Sequence, residues 1–407
     1  MAKASSSIKS FSERASALHQ SCNLKMAGSA HAYVRGNTRK FYEWVAASDK
    51  SKVPQGPPIW ICGDCHAGNL GPLADTEGQI DIEIRDFDQT VIGNPAHDLI
   101  RLGLSLATAV RGSDLPGVTT AKMIEQMMEG YEEALADKDP DMRSRRPECV
   151  RVVMRQAVER TWDHLAKERL EDTNPTIPLG KRFWPITKRE RHEVERIFAA
   201  EEVRLLVTAL RSRKNDARVE VLDAAYWMKG CSSLGRLRFA VLLGVGKSYT
   251  RKEGGLCLID IKEAVMAAAP SYAKATMPPD HARRVVEGAR HLSPALGDRM
   301  LAATFLDHVV FMRELLPEDL KLEIDKISRE EAMKAARYLA MVIGKAHARQ
   351  MDIAARAKWR DELGRNRPAN LDAPNWLWSS IVELVASHEA SYLEHCRKFA
   401  MDPDLAA

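Results

Sequence analysis

The sequence lacks any apolar run approaching the ~18 consecutive residues that a membrane-spanning helix needs, and Met1–Ser10 carries lysines but no stretch resembling a secretory signal. Cysteine is sparse and odd in number, seven scattered over 407 residues, which suits reduced thiols better than a disulfide framework. An excess of either charge is also missing. Sixty lysines and arginines face 56 aspartates and glutamates, a net charge of +4, without the concentrated basic face of a nucleic-acid binder. The basic clusters at 143–146 and 211–214 lie in polar stretches and read as solvated helix ends or loops. No internal repeat is present. These absences predict a cytoplasmic globular protein with no membrane or nucleic-acid partner. At about 150 residues per domain, the chain has room for two or three structural units.

What the sequence does contain is mostly helix, interrupted by two short groups of strands. Residues 11–50 read as helical, with a basic face and an aromatic patch at Phe41, Tyr42 and Trp44; Pro54, Pro57 and Pro58 then stop any helix. The apolar run Ile59–Cys62 predicts a buried strand end, and Ile80, Ile82 and Ile84 alternating with Asp81 and Glu83 predict a second strand. The Gly-, Asp-, Asn- and Pro-rich segment 63–79 between them reads as loop. Asn94 and Pro95 mark a helix start, and residues 119–220 are mainly helical in pattern. Two runs, Arg238–Leu243 and Leu256–Ile261, predict a hairpin, after which helix resumes from about residue 280. The expected fold class is α+β. It comprises a helical domain over 1–220 with a strand insertion near 59–90, a small antiparallel-sheet lobe over 221–310, and C-terminal helices over 311–407.

Both predicted strands of the insertion end in carboxylates: Cys62-Gly63-Asp64-Cys65-His66-Ala67-Gly68-Asn69 follows the first, and Arg85-Asp86-Phe87-Asp88 the second. Adjacent strands would bring these ends together. Phosphoryl transfer needs a carboxylate to orient the attacking hydroxyl and oxygen ligands to hold magnesium against the phosphates. Magnesium takes a few protein oxygens and completes its shell with waters and phosphates. Asp64, Asn69 and Asp86 can supply those parts. Three other readings apply to the same residues. The acidic loops could bind a structural cation or simply be solvated; Cys62-x-x-Cys65-His66 matches c-type haem attachment; and Cys62 with Cys65 matches a CxxC redox pair.

The pattern Gly-Asp-x-x-x-x-Asn followed by Asp-Phe-Asp resembles the catalytic loop and metal-binding aspartate of protein kinases and aminoglycoside phosphotransferases. Gly93-Asn94-Pro95-Ala96-His97-Asp98-Leu99 is similar to the Gly-x-Pro-x-x-Asp-Leu that follows in the second group. The resemblance implies that Asp64 is the catalytic base, that Asn69 and Asp86 hold magnesium, and that Asp98 braces the loop. Cys62 stands where those enzymes usually carry histidine.

A second group of residues lies downstream. Gly230-Cys231-Ser232-Ser233-Leu234-Gly235 precedes a strand, and a glycine-bearing turn can bring backbone N–H groups close to phosphates. It is neither a Walker loop nor a dinucleotide fingerprint. Lys262 ends the next strand, where kinases place the lysine that contacts phosphates and pairs with a helix glutamate; Glu287 is the expected partner. Since this group follows the catalytic loop instead of preceding it, the resemblance implies a circularly permuted kinase-like fold.

Longer stretches resemble the domain of unknown function 2252 family of bacteria. They are Lys25-Met26, Tyr33-Val34-Arg35-Gly36, Gly63-Asp64-x-His66-x-x-Asn69-x-Gly71, Asp86-Phe87-Asp88, Gly230–Gly235, Lys262-Glu263-Ala264, Arg284–Gly288 and Ala346–Arg349. The resemblance adds His66 beside Asp64 as a catalytic candidate that contacts phosphate or braces the loop. It also adds Arg35 as a phosphate-neutralising cation and Asp88 as a second metal ligand. His347 and Arg349 read as a packed helix face. The expected activity is ATP- and magnesium-dependent phosphoryl transfer to an unidentified small-molecule or protein acceptor, with AMP transfer or a non-catalytic nucleotide-binding pseudokinase as alternatives.

Overall fold

The computed structural model describes residues 8–49, 52–111, 117–136, 142, 144–159, 176–210, 213–214, 216–231, 234–246, 255–316, 328–365 and 373–399. Three helices open the chain, α1 (Phe11–Ala27), α2 (Ala30–Gly36) and α3 (Thr38–Ala47). Each starts at a polar cap, Ser10, Ser29 or Asn37, whose side chain accepts from the first-turn N–H groups. There follow β1 (Ile59–Ile61), β2 (Leu70–Ala74), β3 (Ile80–Ile84), β4 (Val91–Gly93) and α4 (Pro95–Arg111). Next come α5 (Gly117–Ala136), α6 (Glu148–Glu159), β5 (Phe183–Trp184), α7 (Lys188–Phe198) and α8 (Glu201–Thr208). The chain then forms β6 (Val219–Trp227), β7 (Arg238–Val245), β8 (Leu256–Glu263), α9 (His281–Leu292), α10 (Pro294–Gly297), β9 (Met300–Phe305) and β10 (His308–Leu315). It closes with α11 (Arg329–Ala348), α12 (Ile353–Leu363) and α13 (Asn375–Phe399). The molecule is of the α+β type, with every strand pairing antiparallel.

The strands near residues 59–90 pair differently from expectation. β1 joins β4 and β3 joins β2, so the two predicted strands are not neighbours. β2 was read as loop because Gly71 and Pro72 interrupt it. Pro72 is tolerated because β2 pairs on one side alone. The catalytic-type ends still meet: Arg85 N–H donates to Asn69 O at 2.8 Å.

The larger sheet has six strands in the order β5-β6-β7-β8-β10-β9. It therefore extends past the expected 221–310 segment on both sides, and the chain does not simply return to helix after residue 280. Side chains alternate across it with period two. Phe239, Val241, Leu243, Cys257, Ile259 and Ile261 pack with Leu18, Val194 and Val207, which places α1, α7 and α8 on one face. The other face carries Ala240, Leu242, Leu256, Leu258 and Leu315. Continuing that face to the strand ends gives Arg238 opposite Lys262 and Asp260 opposite Arg313.

The second core centres on α4, α5 and α11, through residues such as Leu99, Leu102, Met127, Tyr131, Leu339 and Ile343. Small residues let α5 and α11 approach closely: a Cβ added at Gly130 would lie 2.2 Å from Arg337 O, and one at Gly344 would lie 2.7 Å from Ala134 Cβ. Among the described residues, no helix is long and apolar enough to cross a membrane.

Candidate functional site

The loop after β1 is held from beneath. Asp98, in the first turn of α4, is fully buried. Its carboxylate accepts the Cys62 N–H at 2.7 Å and the Gly63 N–H at 2.9 Å. Gly63 needs its lack of a side chain: φ is +75°, and a Cβ would lie 2.1 Å from Gln89 O. Tyr42 OH donates to Gly63 O at 2.6 Å. Behind Asp98 runs a buried chain of hydrogen bonds. Trp359 Nε1–H donates to Tyr131 OH at 3.0 Å, Tyr131 meets His347 Nδ1 at 2.9 Å, and His347 Nε2 meets Asp98 Oδ2 at 3.2 Å. Tryptophan can only donate. The chain thus starts from a fixed donor and ends at the Asp98 carboxylate. His347 does more than fill a helix face, since it holds the brace of the loop.

Asp64 is fixed at both oxygens: Thr38 Oγ1 donates to Oδ2 at 2.8 Å and Arg101 Nε to Oδ1 at 2.8 Å. Arg101, wholly buried, also donates to Val34 O at 2.6 Å. Asn69 Nδ2 donates to the Asp64 carbonyl at 2.9 Å, which turns the amide oxygen away from that bond. His66 is buried beside them. Burial, then the positive charges of Arg35 and Arg101, hold its pKa well below the ordinary histidine value, so the ring is neutral.

Asp86 and Asp88 face Lys262 from the sheet. Lys262 Nζ lies 2.6 Å from Asp88 Oδ2 and 3.6 Å from Asp86 Oδ1, and its side chain is only 6% exposed. Asp86 opens into the cleft, with 44% of its side chain exposed. Burial alone would raise its pKa, but Lys262 and Arg313 outweigh that and hold it below the usual carboxylate range. Asp88 moves the other way, raised by burial and by the neighbouring Asp86 charge. Among the described residues its Oδ1 is buried without a hydrogen-bond partner. Arg238 makes a two-pronged pair with Asp260, at 2.8 and 2.5 Å, and Arg313 Nη1 donates to Arg85 O at 2.8 Å. Arg313 thereby reaches the loop that carries Asp86.

All of this surrounds a cleft of about 770 Å3. Nine lysines and arginines line it against two carboxylates, Asp64 and Asp86. Among the described residues, no three or more His, Cys, Asp or Glu side chains converge as a metal cage. Asp86 and Asn69 line the cleft and Asp88 joins Asp86 at Lys262, a small set of oxygen-bearing side chains. Such a set fits magnesium when phosphates and waters complete the shell, and the orphaned Asp88 Oδ1 is a buried acceptor in want of a positive partner.

A family model described as an uncharacterized protein conserved in bacteria (DUF2252) matches residues 14–398. The chain belongs to the DUF2252 family. No curated protein and no solved structure matches it. Every DUF2252-like stretch noted in the sequence lies within the matched residues, and the structure gathers several of them. Arg35, Asp64, His66, Asn69, Asp86, Gly230 and Lys262 all line the one cleft, and Asp88 reaches it through Lys262.

Other expected site residues fall elsewhere. Ser232 and Ser233 lie outside the described residues. Gly235, at φ +91°, faces Ala15 of α1 and does not line the cleft. Glu287 is not the partner of Lys262: it pairs with Arg290 one turn along the exposed surface of α9, at 2.7 Å. The same helix contributes Arg284 instead, which donates to Asp88 O and Val265 O at 2.9 Å each and so ties the metal-type loop to the segment after β8. Cys62 and Cys65 are buried free thiols, and burial pushes Cys65 well above its ordinary pKa. They lack the accessible sulfur that thiol exchange requires.

Sequence reasoning missed Thr38, Arg101, Arg284, Arg313 and the Arg238–Asp260 pair. A signal existed for Arg101. It stands three residues after Asp98 on an otherwise apolar helix, a spacing that puts both on one buried face.

Proposed function

We propose that this DUF2252 protein is an ATP- and magnesium-dependent phosphotransferase, built as a kinase-like fold in circularly permuted chain order. The observation that carries this reading is the contact of Lys262 with Asp86 and Asp88, at 3.6 and 2.6 Å. A lysine at the end of a sheet strand and the carboxylates of a downstream-type metal loop, far apart in sequence and in reversed order, share one cleft with Asp64 and Asn69.

In this reading Asn69, Asp86 and Asp88 would hold magnesium, which when bound would neutralise phosphate charge. Lys262 swings from its carboxylate partners to the phosphates, and the Gly230 backbone, at φ +95°, approaches them from the β6–β7 turn. Asp64 orients the acceptor hydroxyl and takes its proton. The hydroxyl oxygen bonds to the γ-phosphorus as the bond to the bridging oxygen breaks, and ADP leaves with that electron pair. Since Arg101 and Thr38 fix both Asp64 oxygens, the carboxylate is an orienting group with free lone pairs more than a strong base. A loose transition state asks little more of it.

Incubation with magnesium and ATP labelled at the γ- or α-phosphate tests the assignment. Phosphoryl transfer or slow hydrolysis releases or moves the γ-label alone, and Lys262→Ala and Asp64→Asn abolish it. Movement of the α-label would instead assign AMP transfer. Tight ATP binding with neither label consumed would make the protein a nucleotide-binding pseudokinase.

A further inference from the structure

Two groups among the cations of the cleft differ in what they face. Those on the sheet already answer to carboxylates: Arg238 to Asp260, and Lys262 to Asp86 and Asp88. Lys25 and Arg35 come from the opposite wall, on α1 and α2. The Arg35 guanidinium carbon and His66 Cε1 lie 3.0 and 3.2 Å from the point a Gly68 Cβ would occupy, so the two side chains converge over Gly68. There they stand next to Asp64 in the cleft lining. Among the described residues, Arg35 Nε and His66 Nδ1 are buried without a hydrogen-bond partner, and His66 as a whole is only 5% exposed. A buried polar atom left unsatisfied costs about 1–3 kcal/mol, so this wall is held at an energetic cost. Lys25 Nζ is held at the mouth by Gly230 O at 3.4 Å.

We infer that Arg35, His66 and Lys25 form the acceptor subsite and that the acceptor is an anion, a hydroxyl compound carrying a phosphate or carboxylate group. This rests on the phosphotransferase reading. It departs from the aminoglycoside-type resemblance, because a polycationic acceptor would meet like charge on this wall. The Arg35 guanidinium, with the His66 ring beside it over Gly68, grips the anionic group, which leaves the hydroxyl over Asp64.

Titration of inorganic phosphate, and separately of acetate, into protein saturated with magnesium and a non-hydrolysable ATP analogue tests the subsite. Phosphate or acetate is expected to bind alongside the analogue, and whichever binds more tightly gives the class of the anionic group. Loss of one charge-assisted contact predicts at least about tenfold weaker binding in Arg35→Ala, partial recovery in Arg35→Lys, and a smaller loss in the exposed Lys25→Ala. Affinity for the analogue is expected to hold in all three. The subsite is overturned if neither anion binds alongside the analogue, or if Arg35→Ala weakens the analogue as much as the anion. Should the analogue not bind the wild type, the phosphotransferase reading fails by itself. Phosphate titration of the unliganded protein then decides the subsite: loss of binding in Arg35→Ala supports it, and equal binding refutes it.

Discussion

Asp64 and Arg101 illustrate how far the chemistry of a residue depends on what lies under it. Arg101 has no exposed side-chain surface, and Asp64 is its carboxylate partner. Removing one member of a buried pair leaves the other charge stranded, at a cost of about 3–5 kcal/mol. Asp64→Ala should therefore lose stability on that scale in urea unfolding. Asp64→Asn keeps an acceptor for Thr38 or Arg101 but still strands the buried Arg101 charge, so it should lose only somewhat less, while both abolish transfer. A second residue-scale prediction concerns Cys231, a lining residue of the cleft. The Cys22 thiol, which donates to the Cys231 carbonyl at 3.0 Å, and the nearby Lys25 and Arg35 charges lower its pKa from the ordinary thiol value. Cys62, Cys65 and Cys257 are buried and pushed up. Iodoacetamide at neutral pH should label Cys231 first, read by peptide mass, and magnesium-ATP should slow that labelling. Asp64, Asn69, Asp86 and Lys262 were legible as candidates because they sit in short local patterns at strand ends, and the structure gathers them around one cleft. Thr38 and Arg284 stayed hidden because they act across contacts between distant segments, which no local pattern encodes.

At the scale of elements, the brace of the catalytic-type loop depends on the fit of α5 against α11, since Tyr131 lies on the first and His347 on the second. A Cβ at Gly130 would strike a backbone carbonyl, which cannot move as a side-chain end can. Overpacking of this kind costs about 1–3 kcal/mol. Gly130→Ala should be destabilised by that amount in chemical denaturation. Gly117→Ala, with nothing within 4 Å of the added atom, should stay near the wild type. Helices were well foreshadowed by period and caps, and so was the β7–β8 hairpin, whose alternating apolar residues sit on one short connection. β2 was obscured by Gly71 and Pro72. β9 and β10 were obscured because α9 separates them from the rest of the sheet, and their pairing with β8 is a long-range choice. Glu287 shows the opposite error: its position on the expected helix was right, but the face it occupies points to solvent.

For the molecule as a whole, titration of buried groups sets how stability follows pH. Burial lowers His97 and His388 to about 4 and His66 well below its usual value. Unfolded, each binds its proton near pH 6.5, so between that value and about 4 the unfolded chain holds more protons. Their contribution is complete above pH 6.5 and is lost as pH falls. Glu83 opposes this: burial raises it to about 7, so its folded form holds the extra proton and stability declines as pH rises from the unfolded value near 4.3 toward 7. Three histidines outweigh one glutamate, and the thermal midpoint should be lower at pH 5 than at pH 7. Glu83→Gln should raise the midpoint at pH 8 and change it little at pH 4, by calorimetry.

The central claim is that one cleft binds magnesium-ATP through Asp86 and its neighbours, and thermal unfolding of wild type and Asp86→Ala with and without that ligand tests it most directly. Ligand at 100 times its dissociation constant adds about 2.7 kcal/mol to the native state. In a chain of this size that raises the midpoint by at least a few degrees. The account predicts a magnesium-dependent rise in the wild type that disappears in Asp86→Ala, each variant compared with its own unliganded midpoint. No rise in the wild type, or an equal rise in both proteins, would contradict it.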